Sequence, residues 1–383
     1  MSMNFPAFSA RFTSASLLII VVTLTVTSCA APDRKKEVAA NDNKRVETIK
    51  SEPAPAIAAE TASATPIQAT ELEKFTDRMV QQHGFDRTQL QATLQQLQYV
   101  ERTVQLMKPA PPGKPKNWTA YRERFVTPAR INAGVAFWYA YDEALTRAEK
   151  KFGVPAEIIV AILGIETIYG RNTGNFRVMD VIATLAFNYP DTPNREARMA
   201  YFRGELENTL LFARESHIDP FSLTGSYAGA IGWPQFMPGS IRRYAVDFDG
   251  DGLIDLRNSP IDAVGSVANF LLQHGWQPGE PIVFPARVDR ENPAWQRFIG
   301  QGLEAKFKLS ELKADGVTPR IKPPADMLFG LVDLQNGTEP TQYWLGANNF
   351  YAITQYNRSF FYAMAVNDLS RAIRSAHSYQ PAQ

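Results

Sequence analysis

The chain has a single cysteine, Cys29, and only four histidines, His83, His217, His274 and His377, in 383 residues. One cysteine cannot build a disulfide framework, and so few thiols and imidazoles cannot assemble a zinc site of the usual composition. A metal here would have to be held by oxygen. Charge of one sign is not in excess either: 40 Lys and Arg face 39 Asp and Glu, a formal net charge of +1. No strong field is left to attract a nucleic acid. Internal repeats are missing as well. What the chain does have is apolar mass, 45% hydrophobic and 11% aromatic residues, enough over this length to bury one large core or two joined ones.

After Arg11 comes the apolar run "LLIIVVTLTVTSCA". It is too short for a comfortable transmembrane helix and ends in small residues, as a secretory signal does. Val26-Thr27-Ser28-Cys29 resembles a bacterial lipobox, in which Cys29 becomes the lipidated first residue of the mature chain. An ordinary signal peptide with an incidental cysteine is the other reading. Ala30 is uncharged and resembles an outer-membrane sorting signal. Residues 1–28 are then a lipoprotein signal peptide and 29–70 the lipidated cysteine and a disordered tether, because Ala, Lys, Glu, Pro, Thr and Asn without apolar periodicity cannot bury enough surface to fold.

Order is predicted from about Glu71, where Leu72, Phe75, Met79 and Val80 repeat at helical spacing. "KPAPPGKPK" interrupts the pattern, and "GVAFWYAYDEALTRAEKKFG" reads as one further helical block stopped by Gly153. Pro155 and Glu157 then mark a helix start, and the run to Ile168 is apolar nearly all round, which predicts a buried helix. "MAYFRGELENTLLFARES", "IDAVGSVANFLLQHG" and "FFYAMAVNDLSRAIRSA" suggest more helices. Between residues 280 and 355, "EPIVFPARV", "MLFGLVDLQNGTEPTQYWLG" and "NFYAITQYN" read as short β segments separated by turns such as Asn336-Gly337.

One carboxylate stands inside the apolar run. Glu166 shares a helical face with Ile159, Ile162 and Leu163, a setting that favours the protonated acid. A carboxylic acid held neutral near physiological pH is what protonation of a departing glycosidic oxygen requires. A buried glutamate satisfied by an arginine or a backbone group is the alternative. No second carboxylate stands in a comparable apolar run. Downstream, "LTGSYAGAIGWPQFMPGS" offers a backbone stripped of side chains at Gly225, Ala228, Gly229, Ala230 and Gly232, with Ser226 and Gln235 as hydrogen-bonding groups. Such a stretch suits a flat polar ligand such as a saccharide, or tight packing between helices.

"DFDGDGLIDLRNSPID" places Asp247, Asp249 and Asp251 at alternating positions, Gly252 at the sharp turn and the Leu253 carbonyl as a backbone ligand, like the first part of an EF-hand loop. Asn258 occupies the place of the closing glutamate, so Asp262 is the better candidate to close a lengthened loop. Helical signals on both sides complete the helix-loop-helix context, and a plain acidic turn is the other reading.

Together, "YRERFVTP", "VPAEIIVAILGIET", "ATLAFNYP", "YFRGELENTLLFARE", "GSYAGAIGWPQFMP", "YAVDFDGDG", "DAVGSVANF", "HGW" and "NFYAITQYNRSFFYAMAV" resemble the membrane-bound lytic murein transglycosylase B family, glycoside hydrolase family 103, from about Glu71 to Ala376. The resemblance implies an α+β, mostly α, fold. A lysozyme-like catalytic core at 154–280, with an EF-hand-like loop at 247–262, is flanked by a helical domain at 71–153 and completed by a small β element and C-terminal helix at 281–376. It implies cleavage of the β-1,4 bond between N-acetylmuramic acid and N-acetylglucosamine, with peptidoglycan glycan strands as the partner and 1,6-anhydromuramic ends as the product. Glu166 falls on the catalytic glutamate, Ser226 and Gln235 on the substrate loop, Tyr121 on a cleft aromatic, and Tyr356, Asn357 and Tyr362 on the C-terminal cleft segment.

The same resemblance makes Asp247, Asp249, Asp251, the Leu253 carbonyl and Asp262 ligands of a structural calcium. It places the protein in the periplasm, anchored by Cys29 to the inner face of the outer membrane. Two features depart from the family pattern: a residue is gained before Asp262, and "NYPDTPNREARMAYF" is lengthened, leaving both Arg195 and Arg198 as substrate-binding candidates. A lysozyme-type hydrolase and a non-catalytic wall-binding lipoprotein are the competing readings.

Overall fold

The computed structural model describes residues 69–109, 113 and 115–379. Cys29, the signal-like run and the tether predicted before Glu71 lie outside them. Helices α1 (Ala69–His83), α2 (Arg87–Leu94) and α3 (Glu101–Leu106) come first, and the Asp86 side chain caps α2 by accepting from the Gln89 N–H at 2.8 Å. Asn117 and Thr127 cap α4 (Trp118–Glu123) and α5 (Pro128–Ala140) in the same way, with Pro128 in the first turn of α5. The predicted single block is broken at Tyr141, whose φ and ψ of −126° and 28° leave the helix before α6 (Asp142–Phe152) starts on Asp142 and Glu143. Two acids favour a fresh N-terminus, where the helix dipole stabilises them, over a helix interior. Gly153, at φ 69°, then ends α6.

Helix α7 (Ala156–Thr167) is fully buried at every residue but one, and the exception is the half-buried Glu166. It packs against α5, α6, α11 and α14, so its apolar circumference is covered by four neighbours. Its first-turn Glu157 is also buried and is paired with Arg374 at 2.6 Å. Strand β1 (Phe176–Arg177) pairs with β2 (Thr224–Gly225) around α8 (Val178–Phe187) and α9 (Arg195–Glu215). Short α10 (Pro238–Tyr244) leads through the aspartate loop to α11 (Pro260–Gln273). One buried hydrophobic cluster runs through all these helices except α3, from Phe75 to Ile373.

The remaining strands are β3 (Val283–Val288), β4 (Phe307–Lys308), β5 (Val317–Pro319), β6 (Leu328–Asn336) and β7 (Glu339–Gly346), with α12 (Leu309–Ala314) between β4 and β5. They form an antiparallel sheet in the order β4-β6-β7-β3-β5, and the β6–β7 hairpin turns at Asn336-Gly337, where Gly337 has φ 65°. Phe284, Ala286, Leu331, Tyr343 and Leu345 share one face with a small second cluster, while Val332, Leu334 and Trp344 on the opposite face join the main one.

"NFYAITQYN" is a correction: it forms α13 (Asn348–Thr354), not a strand. Asn349 to Thr354 are all buried, and the Asn349 side chain is tied to the Gln277 N–H and to the carbonyls of Gln277 and Glu280. Burial on all sides lets a helix satisfy its own backbone where an aromatic, β-branched sequence suggested an extended chain. Helix α14 (Phe360–Ser378) closes the fold against α5 and α7.

Candidate active site

Glu166 sits in the last turn of α7, and the chain leaves the helix abruptly behind it. Ile168 and Tyr169 take positive φ values of 53° and 56°, a conformation that costs L-residues of order 1–2 kcal/mol each, followed by Gly170 at 79°. The turn is held from several sides. Thr167 Oγ1 donates to the Trp233 carbonyl at 2.9 Å and accepts from the Gly170 N–H at 3.0 Å. Trp233 packs flat on Gly170, where any Cβ would lie 2.5 Å from the indole. The Tyr169 hydroxyl reaches back over Gly134 and Gly164 to the Arg130 carbonyl at 3.3 Å, and Arg130 Nε donates to the Gly164 carbonyl at 2.9 Å. The strain of the turn is thus met by contacts from α5, α7 and the Trp233 segment, and it fixes the direction of Glu166.

Among the described residues the Glu166 carboxyl accepts one hydrogen bond, from the Tyr362 hydroxyl at 2.6 Å. Burial pushes its pKa from 4.5 up to about 7, and the Tyr362 hydrogen bond works weakly the other way. Its place at a helix C-terminus, where the backbone dipole is negative, adds to the preference for the protonated form. The neighbouring tyrosines respond in kind. Burial and then the Glu166 charge hold the hydroxyls of Tyr121, Tyr356 and Tyr362 above the ordinary tyrosine range.

Tyr356 stacks on Tyr362 at 6.2 Å and donates to the Pro234 carbonyl at 2.5 Å. Tyr121, on α4, lies among Trp118, Phe125 and Phe361. Elements distant in sequence therefore bring Glu166, Tyr121, Tyr356 and Tyr362 to one place. Asn357 is exposed on the turn between α13 and α14.

Ser226 and Gln235 shape their loop from within. Ser226 Oγ accepts from the Ala230 N–H at 3.0 Å, and Gln235, itself at φ 51°, donates to the carbonyls of Thr173 and Gly232 at 3.1 and 3.0 Å. Arg195 donates to the Tyr189 carbonyl at 2.8 Å, and Arg198 donates to the Tyr189 hydroxyl at 3.2 Å while lying over the rings of Tyr189, Tyr201 and Phe202. Both arginines are engaged with Tyr189.

Another buried carboxyl, one that the sequence did not reveal, is Glu205, on α9. Burial raises its pKa, and its Oε2 accepts from the Gly239 N–H at 2.8 Å, binding α9 to the start of α10. Gly239 permits this approach, since a Cβ there would lie 3.0 Å from the Glu205 carboxyl. Arg130 and Tyr169 were likewise not singled out from the sequence, because their contacts to the Glu166 turn come from separate segments.

The aspartate loop gathers Asp247, Asp249 and Asp251, three of the five residues named from its spacing. Carboxylate oxygens of Asp247, Asp249 and Asp251 lie within 4.8 Å of one another. Asp247 accepts from the N–H groups of Gly250 and Gly252 at 2.6 and 2.9 Å, Asp251 from that of Leu253 at 2.8 Å, and Gly250 and Gly252 take φ values of 82° and 90°. Three carboxylates gathered this closely repel one another unless a cation lies between them, so the donor set fits a hard divalent ion. Asp262 is buried at the start of α11, with Oδ1 accepting from the Phe248 and Asp249 N–H groups and Oδ2 from that of Asp255. Within the same loop, the Leu256 carbonyl accepts from the Trp233 N–H at 2.9 Å and the Arg257 carbonyl from the indole N–H at 3.1 Å. Trp233 thereby joins the aspartate loop to the Glu166 turn.

Comparison with known proteins gives three concordant matches. The transglycosylase SLT domain model matches residues 68–371. The chain is 44% identical to the membrane-bound lytic murein transglycosylase B of Escherichia coli (strain K12) over 312 residues, 79% of this chain and 82% of that protein. It is similar to the crystal structure of soluble lytic transglycosylase SltB1 from Pseudomonas aeruginosa, with a TM-score of 0.72 and 44% identity over 80% of this chain and 99% of the other. The Escherichia coli lytic transglycosylase Slt35 in complex with calcium matches at a TM-score of 0.70 and 44% identity, over 80% and 93% of the two chains.

Proposed function

The chain belongs to the transglycosylase SLT domain family, and from that membership together with the site we propose that it is a peptidoglycan lytic transglycosylase in which Glu166 alone serves as acid and base. The observation that carries this reading is the carboxyl of Glu166, the one half-buried residue of α7, which the apolar surroundings keep partly protonated near neutral pH and which Tyr362 aims. Such a group donates its proton to the β-1,4 glycosidic oxygen between N-acetylmuramic acid and N-acetylglucosamine as the bond to the anomeric carbon breaks. The carboxylate left behind takes the proton of the C6 hydroxyl on the same muramoyl residue. That oxygen bonds to the anomeric carbon, closing a 1,6-anhydro ring and restoring Glu166 to its acid form.

No water is consumed, so one carboxyl suffices where a hydrolase commonly uses two. The intramolecular attack has the advantage of proximity, and the substrate N-acetyl group stabilises positive charge at the anomeric carbon. Tyr121, Tyr356, Asn357 and the loop of Ser226 and Gln235 contact the sugars, and Tyr362 positions the acid. Mass spectrometry of material released from purified sacculi tests the reading. Muropeptides one water lighter than their reducing counterparts support it, reducing ends indicate a hydrolase, and sacculi bound without release indicate a wall-binding protein.

Tyr362→Phe removes the hydrogen bond that orients Glu166 and lowers its pKa. Turnover is expected to fall about tenfold, the order associated with loss of one hydrogen bond to a charged group. Activity requires the protonated acid and declines as pH rises through about 7. In the variant this alkaline limb moves to higher pH, and pH–rate profiles of the two proteins check both effects.

Calcium is held, in this proposal, by Asp247, Asp249, Asp251 and the Leu253 carbonyl, with Asp262 closing the loop. The ion supplies structural charge neutralisation. Its removal is expected to lower the melting temperature by about 5 °C relative to calcium at about a hundredfold its dissociation constant, with a smaller change in rate at 25 °C. Calorimetry with and without chelator measures it. Anchoring through Cys29 to the inner face of the outer membrane would bring the domain to the wall from the periplasmic side. Among the described residues no helix is long and apolar enough to cross a membrane.

A further inference from the structure

Outside the Glu166 site, a groove of about 460 Å³ opens on the five-stranded sheet, lined by Arg287, Arg290, Arg320, Gln342, Tyr343 and Trp344 among others, and by no carboxylate. The register explains how it arises. Val332 lies opposite Trp344 and Leu334 opposite Gln342, Trp344 opposite Pro285, and Arg287 opposite Thr318. The Arg320 N–H donates to the Pro285 carbonyl at 2.7 Å, which puts Arg320 in line with Pro285. Directly opposite residues project to the same side of a sheet, so Val332, Leu334, Trp344, Arg287 and Arg320 share one face.

At β6 that face is closed, because α4 and α14 pack on it and Val332 and Leu334 are fully buried. Towards β3 and β5 no helix of the described residues packs on it to the extent seen at β6, and Arg287 and Arg320 are exposed. Nearby ion pairs, Arg297 with Asp315 and Lys306 with Glu304, use other residues, and Arg287, Arg290 and Arg320 enter no ion pair among the described residues. The guanidinium groups of Arg287 and Arg320 on the Trp344 face, with Arg290 also lining the groove, select for carboxylates, which arginine binds through paired N–H donors.

The position of the groove says which carboxylates. The face continues from α4 and α14, the helices that carry Tyr121 and Tyr362 beside Glu166. A glycan strand seated at Glu166 carries its peptides on the muramoyl lactyl groups, amide-linked at their N-termini and ending in free carboxylates. We infer that the groove of Arg287, Arg290 and Arg320 is a subsite for the acidic stem peptide of the glycan substrate. The inference rests on the transglycosylase reading and extends it from sugar to peptide recognition.

The Arg287→Ala/Arg320→Ala double variant of the full chain tests it on two substrates, peptide-bearing strands and strands stripped of peptide by an amidase. On the first, kcat/KM is expected to fall about tenfold through KM, equivalent to about 1.4 kcal/mol. On the second it stays at the wild-type value, and so does the melting temperature. Equal losses on both substrates, or none on either, overturn the subsite. Calorimetry of wild-type protein with a free acidic pentapeptide stem needs no turnover. Binding weakened by the double variant supports the subsite even if neither substrate is cleaved, a result that would instead refute the transglycosylase reading, and no binding to the wild type overturns it. Vesicles containing phosphatidylglycerol form the last arm: loss of vesicle binding in the variant, with peptide dependence unchanged, assigns the arginines to a lipid surface and overturns the inference.

Discussion

Glu166→Gln is expected to lower release of soluble products from sacculi by about 10³-fold or more while the protein still folds and still binds glycan. General acid catalysis alone is worth about 10²–10⁴-fold, and here the same side chain is also the base for ring closure. Glutamine keeps the shape and the acceptor oxygen that Tyr362 addresses at 2.6 Å, but it has no proton to give at any accessible pH. A catalytic contribution can therefore be separated from a structural one: binding to sacculi, measured by cosedimentation, should be unchanged as turnover disappears. Comparable activity in the variant would remove Glu166 from the mechanism.

The same substitution is expected to change how stability depends on pH. The Glu166 carboxyl has a folded pKa of about 7 against an ordinary value of 4.5. The folded state therefore binds a proton over a range where the unfolded state has released it. Below about pH 4.5 both states are protonated and burial of the neutral acid carries no ionisation penalty. Between about 4.5 and 7 the unfolded chain gains the freedom to ionise, and stability falls as pH rises. Above about 7 the penalty is complete, roughly 3 kcal/mol at about 1.4 kcal/mol per pH unit. Glu166→Gln has no such penalty. Denaturant titrations should find the two proteins nearly equal at low pH and the variant more stable by up to this amount at pH 8. Parallel pH dependences would show that the carboxyl is not destabilised by the fold.

The apolar setting of the Glu166 carboxyl was legible in the sequence because both the apolar run and the carboxylate lie on one helix. The aspartate loop was legible for the same reason: its candidate ligands are local, alternating, and punctuated by Gly250 and Gly252 where positive φ is needed. Features built from separate segments were not. Arg130 and Tyr169 brace the Glu166 turn from α5 and from beyond α7, and nothing in either residue's neighbours announces this. Ile168 in a left-handed conformation runs against its own β-branched preference and is stabilised only by the fold around it.

Glu205 escaped notice because its burial comes from the packing of α10 on α9, not from an apolar run around it. Helix α13 was misread as extended because Phe350, Tyr351 and Ile353 favour strands in general, while complete burial of this short segment favoured a helix. The break at Tyr141 was missed because apolar spacing is nearly continuous across it, and only the paired acids that follow mark the new start.

The central claim is that Glu166 activates a sugar hydroxyl and not water. Digestion of sacculi in H₂¹⁸O, with mass spectrometry of the muramoyl ends, addresses this directly. The account predicts anhydromuramoyl products without ¹⁸O, and their absence in the Glu166→Gln digest. Muramoyl ends that carry ¹⁸O would show that water attacks the anomeric carbon, and would contradict the single-carboxyl mechanism.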